Sequence, residues 1–152
     1  MPSLLLPIVL IALAGAAVAA QPAFNGQLAS HLGSPLRAAL VNFLAGASVL
    51  GVLVMLLMPR QGVPDMRMLT QVPTHLWLAG GTLGASFVAT ATWAAPKVGV
   101  AAFFATLVAA QLIAALVMDH FGLLGLAQRP ANLVRVAGAL LLVLGALLVV
   151  RG

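Results

Sequence analysis

The chain has 152 residues, of which 63% are hydrophobic and 6% charged, with a formal net charge of +5, two acidic residues and no cysteine. This composition excludes a soluble globular domain, and the lack of cysteine excludes disulfide frameworks, thiolate metal sites and cysteine nucleophiles. The seven basic residues stand singly between apolar runs, which gives nucleic-acid binding no support and points to a role in membrane topology.

A membrane-crossing helix needs about 20 apolar residues, and the chain divides into five such stretches, 4–32, 36–58, 75–95, 100–118 and 133–150. The expected architecture is therefore an all-α polytopic membrane protein, a single transmembrane domain over residues 1–152. The first run ends in Ala17-Val18-Ala19-Ala20-Gln21, which resembles a secretory cleavage site. No basic residue precedes that run, as a signal requires, and cleavage would discard one helix from an all-helical chain, so the run is expected to remain the first span.

That span is too long for a vertical crossing, and tilt or a kink must absorb the excess. Within it Gln21 and Asn25 lie four residues apart and share one helix face. Between them Pro22 removes a backbone donor and crowds the preceding turn, which predicts a kink. A broken, amide-bearing stretch in a bilayer survives where it is buried in protein or faces a wet cavity, which makes it a candidate binding site. The plainer alternative is that the amides bond to a neighbouring helix as packing glue. Gly33-Ser34-Pro35 ends the span, with Ser34 placed to cap the next helix and Pro35 in its first turn. The second span is interrupted only by Asn42, a further buried amide, and by the small residues Gly46, Ser48 and Gly51.

Residues 59–73, with Arg60, Asp65 and Arg67, read as the one substantial loop. The third span is the most polar. Thr82, Ser86 and Thr90 recur on one face, although hydroxyls in membrane helices often bond to their own backbone. Gly80 and Gly84 form a small-xxx-small pair that permits close helix approach, Trp77 reads as an interfacial anchor, and Trp93 lies near the span's end. A tight turn over residues 95–99 leads to the fourth span, whose one strongly polar side chain is Gln111. Asp119-His120-Phe121-Gly122 closes it. The fifth span is apolar on every side, and Gly138 and Gly145, seven apart, mark it as a packing or dimer element.

There is no P-loop, serine triad, paired intramembrane carboxylate or metal-spaced histidine cluster. His31, His75 and His120 stand at separate span ends, and neither Asp65 nor Asp119 lies deep in the membrane to carry protons. No enzyme activity, metal or cofactor is expected. With five crossings, the N-terminal face carries Arg60, Arg67, Arg129 and Arg135, and the opposite face Arg37, Lys97 and Arg151. Orientation depends on an excess of Lys and Arg on one side, and here the excess is nearly absent. Both orientations are then open to the chain, and an inverted copy supplies the missing half of an inverted repeat, the arrangement from which many transporters are built around a midplane site.

Gln21-Pro22, Asn25-Gly26-Gln27-Leu28, Leu32-Gly33-Ser34-Pro35 and Asn42-Phe43 resemble, in order and spacing, blocks of the YdcZ-like family of small proteins in the drug/metabolite transporter superfamily. Trp77-Leu78-Ala79-Gly80-Gly81, Pro96-Lys97-Val98-Gly99, Gln111-Leu112 and Asp119 to Gly125 extend the resemblance along the chain. It implies a bacterial inner-membrane protein of five helices, occurring singly, as paired subunits or as fused ten-helix chains. The related multidrug branch carries a membrane glutamate in its first helix, where this chain has Ala, Gly or an amide, so proton-coupled cation export by that route is not implied. The leading functional expectation is a small-solute transporter in the lipid bilayer, a dual-topology, antiparallel homodimer whose site is lined by Gln21, Asn25, Asn42, Thr90, Trp93 and Gln111. These amides and hydroxyls suit a neutral or polar organic solute, while the Trp93 ring offers a face to a cation and Lys97 a charge to an anion. Pro22, Gly80, Gly84, Asp119, Gly138 and Gly145 are assigned structural roles. The competing expectation is a non-transporting subunit that stabilises or regulates a partner membrane protein, its polar residues serving as helix glue.

Overall fold

The computed structural model describes residues 2–62 and 65–152. Among these it contains helices and no strand: α1 (Pro2–Leu32), α2 (Pro35–Gln61), α3 (Met66–Thr70), α4 (Thr74–Val98), α5 (Val100–Phe121), a 3-10 turn at Leu123–Gly125, and α6 (Leu133–Arg151). Four helices are long and apolar enough to cross a membrane, over Leu5–Leu32, Pro35–Met58, Val100–Phe121 and Leu133–Arg151. At 25 residues α4 also has the length for a crossing, but its glycines and hydroxyls dilute its hydropathy below that of the other four. Large apolar side chains point outward along the spans, among them Ile11, Leu53, Leu141 and Leu148. In water such surfaces would be sticky, whereas hydrocarbon solvates them.

The chain forms two compact units, one reaching to Pro96 and the other comprising Lys97–Gly152. In the first, Ser34 caps α2 by accepting from the Arg37 N–H at 3.5 Å, with Pro35 in the first turn as expected. The Arg37 Nη1 donates to the Leu32 carbonyl at 3.1 Å, satisfying one of the free acceptors at the end of α1. So short a connection makes α1 and α2 packed neighbours. Among the described residues, those buried in this unit are Pro22 and Asn25 on α1, Ala38 and Ala39 on α2, and Ala91, Thr92 and Ala95 on α4. Nearly all are small. Small side chains let membrane helices approach closely, and packing, rather than water exclusion, then supplies the attraction. Gly84 shows the point, since a Cβ there would stand 3.4 Å from the Phe43 ring of α2.

Several boundaries differ from expectation for local reasons. α2 runs past Pro59 to Gln61, and the expected loop holds the single-turn α3, capped by Asp65 accepting from the Arg67 N–H at 3.3 Å. Val63 and Pro64 of that loop lie outside the described residues. α4 continues through Pro96 to Val98, because a proline in a last turn forfeits one helical bond without breaking a ladder on both sides. The break comes instead at Gly99, whose φ of +85° suits glycine.

In the second unit α5 packs against α6. Ala109, Ala139 and Ala146 are its buried residues. A Cβ at Gly138 or Gly145 meets nothing within 4 Å, and the seven-residue spacing buried within this unit belongs to Ala139 and Ala146.

Candidate functional site

Gln21, Asn25 and Asn42, three of the six residues expected to line a site, come together. With Phe24, Phe43, Gly46, Ala47, Leu50 and Val88 they line an open cavity of about 530 Å³ within the first unit. The helical repeat places them. Gln21, Phe24 and Asn25 fall on one face of α1, and Asn42 or Phe43, Gly46 or Ala47, and Leu50 recur every three or four residues along one face of α2. The Asn42 Nδ2 donates to the Asn25 Oδ1 at 2.7 Å, joining the two helices.

An asparagine amide has two donors and a carbonyl oxygen with two lone pairs, so one mutual bond leaves donor and acceptor capacity on both residues. Asn25 is buried and Asn42 half-buried, and Gln21 is exposed toward the cavity with no described hydrogen bond on its amide. Pro22, buried between Gln21 and Asn25, has no N–H to give to the carbonyl one turn earlier, leaving a further acceptor on this stretch of α1. Polarity is thus concentrated at one level, and the Phe24 and Phe43 rings together with Leu50 and Val88 supply apolar walls. The rings and aliphatic members were missed in the sequence. Their signal was their position, Phe24 and Phe43 each adjoining an asparagine and Leu50 lying two turns from Asn42.

The other three expected residues are not among those described as lining the cavity. Thr90 is exposed on α4 and does not line the cavity. Trp93, 56% exposed, does not line it either. Gln111 is exposed on α5, in the second unit. The hydroxyl row on α4 bonds to its own helix, Thr82 to the Leu78 carbonyl at 2.7 Å and Ser86 to that of Thr82 at 2.9 Å, which follows the plainer reading of those residues.

Asp119, Arg129 and Arg135 form a second polar cluster, at the connection between α5 and α6. Asp119 is ion-paired with Arg135, both about one-third exposed, one of the two pairings anticipated. The Arg129 N–H donates to the Asp119 carbonyl at 2.7 Å, and the Arg135 Nη1 donates to the Arg129 carbonyl at 3.0 Å. Asn132 caps α6 by accepting from the Arg135 N–H at 2.9 Å. The His120 Nδ1 accepts from the Ala131 N–H at 3.1 Å, and the Gln128 Nε2 donates to the His120 carbonyl at 3.0 Å. These bonds link the end of α5 to the connection and to the start of α6. Among the described residues no group of histidines and carboxylates is arranged to hold a metal ion.

A family model described as "Putative inner membrane exporter, YdcZ" matches residues 6–148. No curated protein and no solved structure matches the chain.

Proposed function

Because the chain belongs to the YdcZ family of inner-membrane exporters, we propose that it carries a small organic solute and that the amide-lined cavity between α1 and α2 is where the solute binds. The observation carrying this reading is the meeting of Asn25 and Asn42 at 2.7 Å in a cavity that Gln21 also lines. Cavities that hold small molecules have this make-up, mostly apolar walls with a few convergent polar groups. α4 is the fifth span in this proposal, its hydroxyls admitted to hydrocarbon because Thr82, Ser86 and Thr92 bond to their own backbone. The working unit is an antiparallel pair of identical chains, an arrangement motivated by the near-even division of basic residues between the two faces.

The alternative, a non-transporting subunit, draws on the same Asn25–Asn42 bond, read as glue between helices. Asn25→Ala separates the two. In the transport reading it weakens solute binding by about 1–3 kcal/mol, one or two hydrogen bonds' worth, while the size-exclusion profile stays that of the wild type. The solute for this assay comes from a thermal-shift screen of purified protein against a metabolite library, where binding raises the melting temperature by mass action. A variant that transports normally but loses its assembly would identify the amides as glue.

A further inference from the structure

The cavity offers a solute hydrogen bonds and apolar walls but no charge. Among the described residues its lining is three amides, two phenylalanine rings and aliphatic or small residues, without a carboxylate, ammonium, guanidinium or imidazole. The chain's two acidic residues are engaged elsewhere, Asp65 as the cap of α3 and Asp119 in the pair with Arg135. Trp93 and Lys97, the residues through which the sequence offered a cation or an anion a partner, are not among the lining residues.

An ion entering such a site gives up its hydration without gaining a counter-ion, and that penalty is large in a low-dielectric setting. The faces of Phe24 and Phe43 attract a cation only weakly compared with the hydration it loses. A neutral carboxamide pays no such penalty. It presents a donor and an acceptor side by side, and the asparagine pair retains both kinds of position beyond its mutual bond. A flat apolar body on that head group meets the rings by stacking or edge contact.

We propose that this site selects neutral solutes bearing a carboxamide-like donor and acceptor on a flat apolar body, and rejects ammonium and carboxylate analogues of the same shape. The proposal rests on the cavity being the solute site. Its test is a matched series of near-equal size, benzamide, benzylammonium and benzoate, titrated into the purified full chain in detergent by calorimetry. Benzamide is expected to bind at least tenfold more tightly than either ion, and Asn25→Ala to weaken benzamide at least fivefold. Gln21→Glu, which places a carboxylate in the lining, is expected to raise benzylammonium affinity at least tenfold by supplying the missing counter-ion.

Equal or tighter binding of either ion to the wild type overturns the charge selection. If Asn25→Ala still weakens binding in that case, the site itself stands. Benzamide binding that is indifferent to both substitutions, or absent at millimolar concentration, overturns the assignment of the site and the selection together. Failure of Gln21→Glu to favour benzylammonium also counts against the selection, since the lack of a counter-ion is its stated cause.

Discussion

Replacing Asp119 tests whether the polar cluster between α5 and α6 is a fastening. Asp119→Ala removes the carboxylate that faces Arg135 and leaves that guanidinium, among the described residues, with the Arg129 carbonyl at 3.0 Å. A fully exposed ion pair is worth at most about 1 kcal/mol, and orphaning one member of a fully buried pair costs about 3–5 kcal/mol. With both side chains about one-third exposed, the expected loss is intermediate, about 2 kcal/mol. For a chain of this size that corresponds to a fall of about 4–8 °C in melting temperature. Asp119→Asn keeps an acceptor for Arg135 and is expected to lose about half as much. Adding Arg135→Met to Asp119→Ala should restore part of the loss, because the stranded charge is then gone. Thermal unfolding in detergent, beside solute binding on the same samples, reads both effects. An unchanged melting temperature with abolished transport would refute the structural role and make Asp119 a coupling residue.

Gly122 ends α5 in the left-handed conformation at φ +62°, and a Cβ there would stand 3.2 Å from the Leu126 carbonyl oxygen, so Gly122→Ala should destabilise by about 1–2 kcal/mol, measurable in the same melt. Gly84→Ala should be tolerated or mildly stabilising, since its methyl meets the Phe43 ring at ordinary contact distance and alanine is the better helix former by up to about 1 kcal/mol. Gly84→Leu, in contrast, should displace Phe43 into the cavity and weaken solute binding at unchanged helix content. Adding two or three arginines beside Arg67 should lock one orientation and lower activity until an oppositely locked copy is supplied. C-terminal reporter fusions of the unmodified chain that reveal a single orientation would contradict the antiparallel pair.

The helices were legible because apolar runs of membrane length leave few alternatives and because Ser34-Pro35 and Gly122 are unambiguous stops and starts. α3 was not, since five residues give no periodicity to read and its cap, Asp65, is equally at home in a loop. Asn25 and Gln21 were legible as a shared face from their spacing alone. The pairing of Asn25 with Asn42 was not, because it depends on how far each helix is rotated about its axis, which spacing within one helix does not determine. The same indeterminacy explains α6, where Gly138 with Gly145 and Ala139 with Ala146 repeat identically one residue apart. Thr90, Trp93 and Gln111 were selected for polarity, and polarity carries no direction, so the sequence does not say whether they share a surface with Asn25 and Asn42.

The chain contains no cysteine, so a single introduced thiol reports on the cavity without background. Gly46 lines it, and a Cβ there meets nothing within 4 Å, so Gly46→Cys places a thiol in the cavity with little disturbance of the packing. In membranes its reaction with a water-soluble maleimide is predicted to proceed and to slow at least fivefold in benzamide, while the reaction of Gly15→Cys, on α1 but outside the cavity, is unaffected by benzamide. A thiol at Gly46 that resists the reagent, or that reacts at the same rate with and without benzamide, would contradict the assignment of this cavity as the solute site.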